Sequence, residues 1–250
     1  MPTLLKVLTY NIHKGFSPAR LRFVLPDIKV AISHINPDLI FLQEIQGEHI
    51  KRAARIEKWP EQTQLEFLAE AIWPHYTYGK NAIYKSGHHG NAILSKFPVI
   101  AWENIDISLY KRASRSILHL QLQLPNTAHR VHAICIHLGL FKHERENQLK
   151  KLSARIASHV PQHEPLIIAG DFNDWKERAP FYLEKELHLT ESFKFIYGTH
   201  AKTYPIWHPT LSMDRIYYRG FNAINAACLT NSPWRKLSDH APLYAELVLP

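Results

Sequence analysis

Short apolar runs with the character of buried strands recur along the whole chain, and no other feature restricts the possible folds as strongly. Leu4 to Tyr10, Leu39 to Leu42, Asn91 to Leu94, Val131 to Ile136 and Leu166 to Ala169 are each bounded by polar or turn-forming residues. Helical patterns lie between them. Leu25, Ile28, Ile32 and Ile35 fall on one face before Asn36-Pro37 stops the pattern. Leu149, Leu152, Ile156 and Val160 do the same before Pro161, and Leu65, Leu68 and Ile72 suggest a third helix. Leu118 to Leu124 alternates strictly, which predicts a strand with one face on a core and the other nearer solvent. Strands throughout, helices between some of them and no Ser/Gly-rich linker predict mixed sheet in a layered α/β fold. With 250 residues and 46% hydrophobic content, we expect a single domain spanning 1–250.

Charge and cysteine use narrow the function classes. Lys and Arg number 30 against 22 Asp and Glu, a net charge of +8, which draws in anions: nucleic acid, anionic lipid or phosphorylated metabolites. Cys135 and Cys228 each sit in an apolar run, as reduced core thiols of a cytosolic protein would. The opening Met1-Pro2-Thr3-Leu4-Leu5-Lys6 lacks the pattern of a signal peptide, and no apolar run approaches the ~18 residues of a membrane span. The expectation is a cytoplasmic monomer, at most peripheral to a membrane.

The chemistry gathers where apolar runs end. Pro165 to Ala169 runs into Gly170-Asp171-Phe172-Asn173, so a buried strand delivers Asp171 and Asn173 at its C-terminal end. Leu39 to Leu42 ends in Gln43-Glu44, and a carboxylate is a natural anchor for a hard cation such as Mg²⁺. Val7 to Tyr10 ends at Asn11, Val131 to Ile136 ends at His137, Asp214 opens Asp214 to Tyr218, and Asp239-His240 precedes the last apolar strand. Alone, each segment reads equally well as a turn or as surface, and with 17 His in the chain no single imidazole carries weight. The same polar punctuation repeated at these strand boundaries makes coincidence the poorer account. Three loops would form a rim: Glu48 to Gln62, the basic Tyr110 to Arg115, and Thr203 to Pro209 with its aromatics and prolines.

These blocks, in this order, resemble the endonuclease/exonuclease/phosphatase family, which includes deoxyribonuclease I, abasic-site endonucleases, inositol polyphosphate phosphatases and neutral sphingomyelinases. The matching blocks are Thr9-Tyr10-Asn11-Ile12, Leu42-Gln43-Glu44, Gly90 to Ser95, His137-Leu138, Gly170 to Asn173, Asp214-Arg215-Ile216 and Ser238-Asp239-His240. The resemblance implies a four-layer α/β sandwich, two mixed β-sheets face to face with helices outside. It implies Mg²⁺ or Mn²⁺ held by Glu44 with Asn11 and Asp239 nearby, and Asp171 orienting or deprotonating the attacking water with help from Asn173. His240, fixed in one tautomer by Asp214, would contact the scissile phosphate, and His137 would be a second phosphate contact or the leaving-group acid. Asn91 and Arg115 are marked for substrate phosphate, although a solvated loop charge accounts for Arg115 as well.

By wording the blocks are most similar to sphingomyelinase-like and small bacterial members, and this resemblance implies, as an expectation, a phosphoester substrate of lipid-headgroup or small-molecule type. Tyr10-Asn11-Ile12-His13-Lys14-Gly15 departs from the opening block of abasic-site endonucleases. Nuclease activity is the alternative, favoured by the net charge and the basic loop. A non-catalytic anion-binding module is the third reading, opposed by the intact carboxylate and imidazole set. No hydrophobic hairpin suited to docking on a bilayer stands out.

Overall fold

The computed structural model describes residues 3–18, 22–70, 72–110, 114–125 and 130–250; Lys111, Arg112 and Ala113 of the basic loop lie outside the described residues. Two six-stranded sheets face each other. The first has the order β11-β12-β1-β2-β4-β3, built from β1 (Thr3–Asn11), β2 (Leu39–His49), β3 (His75–Tyr84), β4 (Gly87–Ser95), β11 (Asn222–Cys228) and β12 (Leu243–Leu249). The second has the order β5-β6-β7-β8-β10-β9, built from β5 (Val99–Asp106), β6 (Ser116–Gln123), β7 (Arg130–His137), β8 (Leu166–Asp171), β9 (Thr190–Glu191) and β10 (Asp214–Arg219). Both are mixed: β1 pairs parallel with β2 and antiparallel with β12, and β7 pairs parallel with β8 and antiparallel with β6.

Three cores account for the layers. Leu5, Val7, Leu39, Phe41 and Ile93 of the first sheet meet Leu118, Leu120, Ala133, Cys135, Ile167, Ala169 and Ile216 of the second. The opposite face of the first sheet, with Leu8, Tyr10, Ile40 and Leu42, is covered by helix α1 (Leu25–Ile35) and helix α3 (Gln64–Ala69). The outer face of the second sheet, with Ile134, Ile136, Leu166 and Ile168, is covered by helix α4 (Lys142–His159) and the stretch around Leu183. Short helices α2 (Ile50–Ala53) and α5 (Ser192–Tyr197) complete the chain. The arrangement is the four-layer α/β sandwich that the resemblance implied. Strands buried on both faces explain why their sequences read as continuous apolar runs.

The helix ends follow local chemistry. Asn36 takes a left-handed conformation at the end of α1 with Pro37 behind it, and Thr63 with Glu66 forms a capping box at the start of α3. Helix α4 starts a full two turns before its apolar stripe, because Glu144, Arg145 and Gln148 are buried there as polar partners, which hydrophobic periodicity cannot register. The polar side of β6 also differs from expectation: His119 is buried and shares a 2.8 Å hydrogen bond with His132 rather than meeting solvent. Cys135 and Cys228 are free thiols. No described helix is long and apolar enough to cross a membrane.

Candidate active site

Strand alternation places the polar residues. The residues that point between the sheets are Leu5 and Val7 on β1, Ala133 and Cys135 on β7, Ile167 and Ala169 on β8, and Ile216 and Tyr218 on β10. Two residues further along each series stand Asn11 (after Thr9), His137, Asp171 and Asp214, still on the inner face but past the apolar core. On the second sheet these ends lie side by side: His137 is the register partner of Asp171, and Asp214 is its partner on the other flank. Asn91 occupies the inner position beside Ile93 on β4, and its Nδ2 donates to the Ser116 carbonyl 3.3 Å away across the gap between the sheets.

Asp171 Oδ2 is the meeting point. Asn11 Nδ2 donates to it from the first sheet at 3.1 Å, His137 Nε2 lies 3.4 Å away and His240 Nε2 3.8 Å away. The other ring nitrogen of His240, Nδ1, is 2.8 Å from Asp214 Oδ2, which fixes the imidazole with Nε2 facing Asp171. Burial raises the Asp171 pKa to about 7, with the Asp214 charge adding to the rise and His240 opposing it. Burial also acts against charge on His240, but Asp214 and Asp171 outweigh it and push its pKa up to about 10. His137, by contrast, is driven well below the ordinary histidine range by burial and by Arg115. One imidazole therefore carries a proton at neutral pH and the other does not.

Two further carboxylates face the same space from the first sheet side. Glu44 is ion-paired with Lys14, and Asp239 Oδ1 is 2.7 Å from His13 Nδ1. Burial opposes their ionisation, yet Lys14 holds the Glu44 carboxyl far below the usual range, and the His13 hydrogen bond lowers that of Asp239. Glu44 does not end its strand as the sequence suggested. β2 continues to His49, and Glu44 sits in a bulge between Leu42 and Ile45 at φ 57°. Phe41 packs between the sheets and Ile45 packs outward, so the bulge shifts the alternation by one residue at Glu44. A left-handed glutamate in a strand costs on the order of 1 kcal/mol or more and persists because the surroundings fix it.

Asn173 also takes a left-handed conformation, φ 48°. Its N–H donates to Asp171 Oδ1 at 2.9 Å, and its Nδ2 donates to the Leu138 carbonyl at 2.9 Å, so it ties the end of β8 to that of β7. Arg115 Nε reaches the same carbonyl at 3.2 Å. Gly170 has no substitute here: a Cβ on it would lie 2.0 Å from the Ile136 carbonyl oxygen, and its φ is 151°. Ser238 Oγ donates to the Asn11 carbonyl at 2.7 Å, and Ile206 N and Ala241 N bond to Asp239 and Thr203, so the loop expected as a rim clamps the Ser238-Asp239-His240 segment.

Asn11, Arg115, His137, Asp171, Asn173, Asp214 and His240 are thus tied together at the strand ends, with Glu44 close enough to feel His137 and Asp239 close enough to feel His240, and Asn91 is linked to them through Ser116, the neighbour of Arg115. The sequence reading missed three neighbours. His13 and Lys14 meet the two carboxylates through a turn of positive φ, which no local signal revealed. His89, whose pKa burial and Lys14 push down to about 4, stands two residues before Asn91, and that spacing was the available signal. The Tyr204 ring lies 4.9 Å from that of His240. Asp171, Asp214 and His240 also offer three ligand atoms within 4.8 Å of one another, a set capable of holding a metal ion.

A family model described as "Endonuclease/Exonuclease/phosphatase family" matches residues 8–240. The chain is 41% identical over 244 residues to the uncharacterized protein YbhP of Escherichia coli (strain K12), covering 98% of this chain and 96% of that one. Among solved structures it is similar to a Bacteroides thetaiotaomicron VPI-5482 mannosyl-6-phosphatase, with TM-score 0.71, 19% identity and coverage of 97% of this chain and 99% of the other. It is also similar to D. rerio TDP2 complexed with single strand DNA product, with TM-score 0.68, 16% identity and coverage of 98% and 99%. At these identities the two structural likenesses concern the fold.

Proposed function

Because the chain belongs to the endonuclease/exonuclease/phosphatase family, we propose that it hydrolyses a phosphoester bond with a divalent metal ion, Mg²⁺ or Mn²⁺, on a lipid-headgroup or small-molecule substrate. The observation that carries this reading is the convergence of Asn11, His137 and His240 on Asp171 Oδ2 at the mouth between the sheets. A phosphoester is an anion, and its displacement builds charge on the oxygens around phosphorus. The cleft supplies an amide, a protonated imidazole and a carboxylate in reach of one point.

The roles follow from the protonation pattern. Asp171, with a pKa near neutrality, takes the proton from the attacking water as its oxygen bonds to phosphorus. His240, protonated and held by Asp214, donates to the phosphoryl group and is the member able to hand a proton to the departing oxygen. His137 is neutral and suits a phosphate contact. Asn173 positions Asp171, and Asn91 and Arg115 line the substrate phosphate.

For the metal we favour Glu44, Asp239 and Asn11. Their oxygens suit a hard cation, and the Lys14 ammonium already sits against Glu44 while a His13 ring nitrogen meets Asp239, so the Glu44 carboxylate accommodates positive charge. The cluster of Asp171, Asp214 and His240 fits less well, because His240 is protonated and bonded to Asp214. When bound, the metal would neutralise a non-bridging phosphate oxygen and charge on the leaving group.

Nuclease activity is the second reading, favoured by the net charge of +8. The test is hydrolysis of bis-p-nitrophenyl phosphate with Mg²⁺ or Mn²⁺, which EDTA should abolish and added metal restore. Full activity in Asp171→Ala or His240→Ala would refute the assignment. Plasmid, single-stranded RNA and a phospholipid panel under the same metal conditions separate the two readings; plasmid nicking at low enzyme concentration would favour the nuclease.

A further inference from the structure

Next to the cleft, large apolar side chains point into solvent. Leu140 is 57% exposed, Phe141 72% and Trp175 37%. Leu140 and Phe141 follow His137 by a few residues, and Trp175 follows Asn173 by two. The Leu138 carbonyl, which receives Asn173 and Arg115, lies two residues before Leu140, so this surface begins within about 7 Å of chain from the catalytic groups.

The backbone that carries these side chains is tied down by hydrogen bonds with α4. Arg145 donates from Nη1 to the carbonyls of Gly139 and Leu140, and its guanidinium lies 4.6 Å from the centre of the Trp175 ring, joining the two segments. Gly139 N donates to Gln148 Oε1 at 2.8 Å, and a Cβ on Gly139 would collide with the Glu144 carboxylate. Phe141 is the N-cap residue of α4 and makes no side-chain cap hydrogen bond. Ser, Thr, Asp or Asn there would stabilise the helix by about 1 kcal/mol. An exposed phenylalanine at a position that favours a small polar residue conflicts with local stability, and such conflicts collect at functional surfaces.

We propose that Leu140, Phe141 and Trp175 dock the protein on an anionic lipid bilayer, with the cleft beside the membrane surface. The exposed residues that follow them are Lys142 and His143 on one segment and Lys176, Glu177 and Arg178 on the other, three cations against one acid. Apolar tips flanked by Lys and Arg match an interface in which hydrocarbon lies below and anionic headgroups lie beside. A nucleic acid matches less well. Leu140 has no π-face for a base to stack on, and one face of Trp175 is already covered by Arg145. The docking does not depend on which ester the cleft cleaves.

Sedimentation with vesicles of phosphatidylcholine containing phosphatidylglycerol, against phosphatidylcholine alone, tests this directly. The protein should sediment with the anionic vesicles. Leu140→Ser with Phe141→Ser should lower the partition constant about tenfold or more, and Lys142→Glu with Lys176→Glu should remove the preference for the anionic lipid. A thermal melt establishes that each variant is folded. Phe141→Ser alone is the safeguard, because it introduces a favourable N-cap and should keep or raise the melting temperature while weakening sedimentation. Wild-type protein left in the supernatant with anionic vesicles would overturn the proposal, as would undiminished sedimentation of the folded double variant. Retention of a labelled single-stranded oligonucleotide that the double variant loses, without vesicle binding, would assign the surface to nucleic acid instead.

Discussion

His240 shows how one residue's surroundings set its chemistry. Burial alone would keep the ring neutral, but Asp214 at 2.8 Å and Asp171 at 3.8 Å give it a pKa of about 10. A free histidine titrates near 6.5, so the folded state binds the proton more tightly than the unfolded chain. The resulting stabilisation is complete below about pH 6.5 and is lost as pH rises toward 10. Thermal melts across that window should show a falling midpoint, and Asp214→Asn should flatten the dependence. The same substitution should reduce kcat by roughly a hundredfold or more and move the alkaline limb of the pH–rate profile to lower pH. An unchanged profile would mean that the Asp214 carboxylate does not govern the imidazole.

At the level of elements, the cleft depends on how strands end. β8 closes on Asp171 only because Gly170 lets its backbone approach β7 at Ile136. Gly170→Ala should therefore destabilise the protein by about 2 to 4 kcal/mol in urea denaturation and displace Asp171 enough to remove most activity. Gly198, which ends α5 at φ 78° with nothing within 4 Å of where its Cβ would be, is the comparison: its Ala variant should lose only about 1 kcal/mol, the conformational cost alone. Equal losses at the two positions would show that the contact with Ile136 is unimportant. β2 solves a similar problem with a bulge, turning Glu44 from the phase its strand dictates toward the cleft.

At the scale of the whole molecule, net charge acts on any anion that approaches. A net charge of +8 raises the local concentration of anionic ester, and salt screens this over about 10 Å at 0.1 M. Raising ionic strength from about 0.05 to 0.5 M should lower kcat/KM for bis-p-nitrophenyl phosphate severalfold and leave kcat nearly unchanged. A salt-independent kcat/KM would indicate that the positive charge lies away from the entrance. The two-sheet architecture holds these residues in place, because each strand that ends in one of them is buried on both faces and has little freedom to move its terminal residue.

Much of this was legible in the sequence. Apolar runs buried on both faces identified the central strands and the sheet class but not the half-exposed β3, β5 and β11 or the two-residue β9, and the inner-facing period of two carried Asn11, His137, Asp171 and Asp214 past the core on one side, as alternation requires. Other features depended on contacts between distant segments. The bulge at Glu44 reverses alternation without a sequence mark, His13 and Lys14 reach the carboxylates through positive-φ turns, and the early start of α4 rests on buried polar partners. The apolar surface of Leu140, Phe141 and Trp175 is discontinuous in sequence and is assembled by Arg145. Patterning along a chain fixes which face a residue takes while the period holds. Where the period breaks, or where charge partners come from separate strands, only the packed structure decides, because proton affinity depends on through-space distance and burial.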